Sequence, residues 1–364
     1  MKLKTEIHHI SAEVKGNILV IWSETPLRVL SSAVLNGGLR EANGIINVQV
    51  PEGCGNDKRD VHWNAEEFLI KEAKRLQLPD NKVIGLMTAA KMGNVVKCSE
   101  KCVETTLTVF VTAGSTVAVT AGEVAASIKD FQPEKCGTIN VVLLVDGNLT
   151  ESCMVDALKT VTEAKTVALR ELDIRSRFSG DIASGTLTDS VLVGCTGKGE
   201  VIQYAGTFTL LGELIGKCVR DSVMKAIFKQ ENILPNRSLM TRLAEREISI
   251  ETIMSLLPEP KDAYERHRYQ QLKKQVELFL SDKKIASLVL AGLRFDDDVG
   301  KGLIPANTSI AIDLAAFEEI IQVALKDYFS DTKKEPATKE RLGQLTKGVF
   351  KAILKKATQN ISNC

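Results

Sequence analysis

Thr138-Ile-Asn-Val-Val-Leu-Leu-Val145 is apolar at almost every position and is closed by Asp146-Gly147. A strand with one wet face would alternate, so this unbroken run predicts a strand covered on both faces. Val83–Ala90 and Thr105–Ala113 read the same way, rich in Val, Ile, Leu or Thr and bounded by glycine. Leu27–Leu35 runs into Asn36-Gly37-Gly38, and Gly44–Val50 is stopped by Pro51, two more strand signals. Beyond the central run, Thr150 is placed to cap a helix continuing to about Leu172, with Glu151 favourable in its first turn. A short helix over Asn64–Leu76, a strand over residues 190–196 and a helix over Thr209–Lys229 complete the pattern. These elements predict an α/β domain, a mixed sheet covered by helices, over residues 1–232.

The composition changes after Phe228. Gln230-Glu-Asn-Ile-Leu-Pro235-Asn reads as a linker, and strands cease beyond it. Ser249–Leu257, Asp262–Leu280, Asp282–Phe295, Asp313–Phe329 and Lys339–Lys356 read as helices, predicting a smaller all-α domain over residues 236–364. Its last helix sets Lys347, Lys351, Lys355 and Lys356 around Leu345, Val349 and Ile353, the pattern of a solvated amphipathic end rather than a membrane-surface helix.

The helix after the central strand carries the first chemical signal. Its apolar stripe runs through Met154, Leu158, Val161, Ala168 and Leu172, and Lys165 falls near the centre. A lysine there either packs its stem and snorkels or meets a partner, and Ser184-Gly-Thr-Leu-Thr-Asp-Ser190 offers hydroxyls and a carboxylate. Glu163 lies on the opposite side of the wheel. Strand ends rich in glycine and hydroxyls recur at Asn36-Gly37-Gly38, Gly85–Thr88, Thr112–Ser115, Gly137–Asn140 and Ser184–Thr186. Converging at one sheet edge, they would offer N–H groups and hydroxyls to a bulky polar ligand.

Several function classes are excluded by what is absent. The net charge of +1 gives no electrostatic reason to expect nucleic acid as a partner, since that binding needs a clustered basic surface. No run of apolar residues is long enough to span a membrane, and the N-terminus lacks a secretory h-region, so the expected location is the cytoplasm. None of the four histidines, His8, His9, His62 and His267, lies in the glycine- and threonine-rich segments, leaving no evident base for a Ser-His-Asp or Cys-His site. HExxH, the phosphate-binding loop and GxGxxG are missing. The eight cysteines are scattered, and the Cys98-x-x-x-Cys102 pair, with no histidine near it, reads as two ordinary thiols rather than a metal site.

Arg28–Gly38 with Asn47, Gly85-Leu-Met-Thr-Ala-Ala90, Val111-Thr-Ala-Gly114, Gly137-Thr-Ile-Asn140, Thr162-Glu-Ala-Lys165, Gly185-Thr-Leu-Thr-Asp-Ser190, Tyr204-Ala-Gly206 and Leu211-Gly-Glu-Leu-Ile-Gly216 together resemble the adenosylcobinamide amidohydrolase family of corrinoid salvage, in order and spacing over about residues 25–230. Val117-Ala118 stands where that family tends to have Asn-Ala, and Leu187 where it has glycine. The resemblance implies hydrolysis of the amide joining aminopropanol to the corrin ring of adenosylcobinamide, yielding adenosylcobyric acid. No cofactor is implied; the corrinoid cobalt enters with the substrate. Amide hydrolysis needs an activated nucleophile, oxyanion donors and a proton for the leaving amine. This assigns Asp189 as base, Lys165 as oxyanion or proton donor, and Thr186 as nucleophile or water-orienting group. Glu163 either reaches the ligand or a second subunit of a homo-oligomer, or faces solvent. The substrate-binding candidates are Asn36, Gly37, Gly38, Asn47, Thr88, Thr112, Gly114, Thr138, Asn140, Ser184, Thr188, Ser190 and Tyr204, with no metal ligand among them.

Ser287–Asp298 with Gly302-Leu-Ile-Pro305 and Glu318-Glu319 resembles the archaeal α-ribazole-phosphate phosphatase. That family's paired aspartate is replaced by Thr346-Lys347-Gly348, and a lysine repels Mg²⁺. The implied reading is a degenerate phosphatase that does not hold Mg²⁺; a bifunctional enzyme and a non-catalytic corrinoid-binding protein are the rival readings.

Overall fold

A computed structural model describes residues 1–51, 64–102, 105–123, 137–257, 259–305, 347–351 and 353–354. The chain divides into two compact units, Met1–Pro235 and Asn236–Cys364.

In the first unit the main elements are β1 (Ile10–Lys15), β2 (Ile18–Ser31), β3 (Gly38–Gln49), α1 (Ala65–Arg75), β4 (Val83–Thr88), β5 (Val96–Cys102), β6 (Thr105–Ala113), β7 (Ile139–Asp146), α2 (Glu151–Glu171), β8 (Ser190–Cys195) and α3 (Leu210–Glu231). With Lys2–Leu3, the strands form one nine-stranded sheet. It is mixed: β7 runs parallel to β8 and antiparallel to β6, while β8 is antiparallel to β2 and β3 is parallel to β4.

The central run is buried on both faces, as its composition predicts, but only one cover is helical. Val141, Leu143 and Val145 pack with Val161, Ala168 and Leu169 of α2 and Val219 and Val223 of α3. Val142 and Leu144 point the other way, against Ile45 of β3 and Ile84 and Leu86 of β4. The second cover is therefore the same sheet folded over. Its outer face, Ile18, Val20, Ile46 and Val48, is closed by Leu69 and Ala73 of α1. The layers run helix, sheet, sheet, helix, and β2 belongs to both sheet layers: its register with β3 shifts between Trp22 and Leu27, where a bulge bends the strand.

Thr150 caps α2 by accepting from the Cys153 N–H at 3.1 Å, and Thr209 caps α3 by accepting from Gly212 N–H at 3.0 Å. Each satisfies an N–H that the helix leaves unpaired. The expected linker begins too early. Gln230 and Glu231 are the last turn of α3, which ends at Asn232 in the left-handed conformation.

The second unit contains α4 (Leu239–Glu245), α5 (Ile250–Met254), α6 (Ala263–Ser281) and α7 (Lys283–Gly300). Their apolar faces share a core with Val349, Phe350, Ile353 and Leu354. Expected helices over residues 249–257, 262–280 and 282–295 are present in shortened or extended form; α4 was not foreseen. Asp313–Phe329, Glu318, Glu319 and Thr346 lie outside the described residues. Asp297 of the acidic run is paired with Arg246 Nη2 at 3.1 Å. No helix among the described residues is long and apolar enough to cross a membrane.

Candidate active site

Lys165 is buried on α2, 6 % exposed, and its Nζ lies 2.5 Å from Asp189 Oδ2. The charge does not snorkel. It meets a carboxylate brought up by the turn before β8. Four hydrogen bonds converge on that carboxylate, from Lys165 Nζ, from Thr186 N at 3.0 Å, from Thr186 Oγ1 at 2.5 Å and from Ile139 N at 2.9 Å. Gly185 makes room for this junction: a Cβ there would stand 2.6 Å from Asp189 Oδ2 and 2.9 Å from Lys165 Nζ. Among the described residues Lys165 has Asp189 as its one hydrogen-bond partner, so two of its ammonium protons remain to donate.

A buried ion pair is weak evidence for stability, because desolvation offsets its attraction. Its placement beside a hydroxyl suits chemistry better. Thr138 Oγ1 and Thr188 Oγ1 lie 2.7 Å apart next to it, and Gly114 N donates to Thr138 O at 3.0 Å. Ser184 accepts from Ala121 N at 2.8 Å. The strand ends at Thr112–Ser115, Gly137–Asn140 and Ser184–Ser190 thus meet at one edge of the sheet.

Other candidates are gathered but already occupied. Asn47 Nδ2 donates to Thr112 Oγ1 at 2.9 Å, while Asn140 Nδ2 donates to Asn47 Oδ1 at 3.0 Å and to Met87 O at 2.6 Å. Ser190 N donates to Asn140 Oδ1 at 3.2 Å. Asn47, Thr112 and Asn140 are each buried to 2 % exposure or less, and their hydrogen bonds pin the two sheet layers together. Thr88 Oγ1 accepts from Ala90 N at 3.1 Å, closing its own turn, and keeps its O–H to donate.

Asn36 donates to Asp80 O at 2.7 Å and Val83 O at 2.8 Å. With Asn36 at φ 56° and Gly38 at φ 89°, Asn36-Gly37-Gly38 is a turn that needs left-handed backbone. Glu163 is exposed on the far side of α2 from Lys165, where a ligand, a second subunit or solvent could each meet it. Tyr204 is 65 % exposed and lines a hollow with Asp146 and Gly147, at the end of β7 away from Ile139. At ~3.3 Å per residue that is about 20 Å from the Lys165 pair.

The sequence reading missed two carboxylates at this edge. Glu231 accepts from Ser115 N at 2.7 Å, from the Ser115 hydroxyl, and from Thr116 Oγ1 at 3.1 Å. Gln230 Oε1 accepts from Lys91 N at 3.1 Å and Asn94 Nδ2 at 2.8 Å. A polar stretch before a proline looks like a linker, and nothing local signals these partners.

The second, Glu123, accepts from Thr120 N at 3.0 Å, from Ser176 Oγ at 2.8 Å and from the Ser179 hydroxyl. Burial pushes its pKa up, but the Ser179 and Ser176 hydroxyls and the Thr120 N–H outweigh it, so the carboxyl sits below its usual range. A depressed folded pKa stabilises above the unfolded value and is lost as pH falls through the folded one. Protection of the amides over residues 118–123 and 176–184, measured relative to their intrinsic exchange rates, is therefore expected to fall on acidification below about pH 4, and Glu123→Gln should remove that pH dependence.

The sequence profile of the adenosylcobinamide amidohydrolase family matches residues 2–235. The chain belongs to this family. It is therefore a hydrolase of amide bonds. An uncharacterized protein of Methanocaldococcus jannaschii is 33 % identical over 230 residues, covering 59 % of this chain and 87 % of the relative. The adenosylcobinamide amidohydrolase of Methanosarcina mazei is 30 % identical over 197 residues, covering 52 % of this chain and 84 % of that one. Among solved structures, a Burkholderia sp. β-aminopeptidase aligns at 13 % identity and a TM-score of 0.31, over 63 % of this chain and 82 % of its own. The amidohydrolase match ends where the first compact unit ends.

Proposed function

We propose that the first unit hydrolyses the aminopropanol amide of adenosylcobinamide to adenosylcobyric acid, in corrinoid salvage in the cytoplasm. The observation that carries this is the Lys165–Asp189–Thr186 cluster. Because the Asp189 carboxylate already takes four donors, its route to a proton runs along the bond it has from Thr186 Oγ. That favours Thr186 as the nucleophile over a water activated by Asp189 directly. Thr186 Oγ attacks the amide carbon and its proton passes to Asp189. The two spare Lys165 protons face the developing oxyanion. The proton on Asp189 then goes to the leaving amine, and water hydrolyses the ester left on Thr186.

Incubating the full chain with adenosylcobinamide and assaying adenosylcobyric acid by mass spectrometry tests the reading. Binding without product would instead support a non-catalytic corrinoid-binding protein. Residues 236–364 we assign to a separate phosphatase-like unit lacking its Mg²⁺ ligands, where Lys347 replaces a carboxylate; phosphate release from α-ribazole phosphate would make the chain bifunctional.

The site also dictates where the chain can be cut. The cores of the first unit draw only on residues up to Ile233, so a protein ending at Pro235 should fold and keep its activity. One ending at Lys229 loses the Gln230 and Glu231 contacts and is expected to be folded but impaired. Equal turnover by the two would remove Glu231 from the site.

A further inference from the structure

Away from the Lys165 cluster, β5 and α3 bring together a second group of reactive side chains. Cys98 and Glu100 stand two residues apart on β5 and so project from the same face of the strand. That face meets α3, where Cys218 Sγ lies 3.2 Å from Cys98 Sγ. The ligand atoms of Cys98, Glu100 and Cys218 all lie within 4.8 Å of one another. Cys102, four residues along the strand from Cys98, is ~13 Å away and cannot share an ion with it, so the Cys98-x-x-x-Cys102 spacing carries no site.

We propose that Cys98, Glu100 and Cys218 bind a thiophilic divalent cation, with Zn²⁺ the best fit. Zinc takes sulfur at ~2.3 Å and carboxylate oxygen at ~2.0–2.2 Å in tetrahedral array, which brings ligand atoms to about 3.5 Å from each other. Small rotations of three side chains reach that spacing. Two thiolates and a carboxylate offset the ion's charge, and thiolate donors select against Mg²⁺ and Ca²⁺. Without an ion the site is poorly suited to thiolates: Cys218 is 1 % exposed, and burial, then the neighbouring Cys98 sulfur, pushes its thiol up. A cation reverses that preference by deprotonating its ligands. Among the described residues Glu100 is otherwise held by Lys217, with Nζ 4.0 Å from Oε1, an exposed pair that yields easily. The ion ties β5, the edge strand of its sheet layer, to the helix whose last turn grips the Ser115 loop.

The test is a Co²⁺ titration of the full-length protein, freed of metal and kept reduced. The expected result is one Co²⁺ per chain with a thiolate-to-cobalt charge-transfer band in the near ultraviolet, displaced by Zn²⁺. Cys98→Ser, at a half-buried strand position, should lose the band while the metal-free variant melts cooperatively; Glu100→Gln should keep the band and bind more weakly. Absence of the band in the wild-type protein overturns the proposal, as does a band of unchanged intensity in Cys98→Ser. Recovery of Cys98 and Cys218 as a disulfide-linked peptide, with no Co²⁺ uptake after reduction, overturns it in favour of a redox pair. The readout needs neither substrate nor turnover, so it stands or falls apart from the amidohydrolase reading.

Discussion

Asp189→Asn is expected to lower amide hydrolysis by about 10²–10⁴ and to destabilise the first unit at the same time. The replacement has the shape of aspartate but not its hydrogen-bonding character. All four groups around Asp189 are donors, and an asparagine must turn its own NH₂ toward some of them. Whichever way the amide flips, donors face donors in a buried site, at ~1–3 kcal/mol for each group left unsatisfied. For a unit of this size each kcal/mol lowers the melting temperature by about 2–4 °C. The check is paired turnover and melting curves, and an Asp189→Asn protein with normal stability and normal rate would remove Asp189 from the chemistry.

Lys165→Ala separates rate from fold more cleanly. The Asp189 carboxylate keeps three donors, from Ile139 N, Thr186 N and Thr186 Oγ1, so the stability loss should fall below the ~3–5 kcal/mol seen when a buried charge is left wholly unpaired. The rate should fall by about 10²–10³, the usual effect of deleting one oxyanion donor. Near-wild-type turnover would sink the assignment of Lys165. Lys165→Met, which refills the apolar stem, should recover stability without recovering rate.

What could be read from the chain in advance was what depends on near neighbours. The Thr150 cap and the apolar stripe that traps Lys165 are local, and both are present. So is the two-faced burial of Val141–Val145, though not the nature of the second cover: a run of valines and leucines reports that it is buried, not what buries it. Pairings over long sequence distances were out of reach. Asn47 and Asn140 entered as substrate-binding candidates through the resemblance, and nothing near either one names its partner 93 residues away. Tyr204 was grouped with the site because it shares the family's motifs, and motif order along a chain does not tell which end of a sheet a loop reaches. β5 was missed because Lys97, Glu100 and Lys101 interrupt its apolar pattern, as an edge strand allows.

The position of Glu231 at the close of α3 has a consequence for the order in which the enzyme comes into being. Lys165, Thr186 and Asp189 leave the ribosome well before the residue that holds Ser115 and Thr116 in place. A nascent chain can therefore pair its lysine and aspartate while the loop at Ser115 and Thr116 still has no anchor. Full catalytic competence should arrive only with the final turn of α3, and a message truncated just short of it would yield a folded domain of impaired turnover.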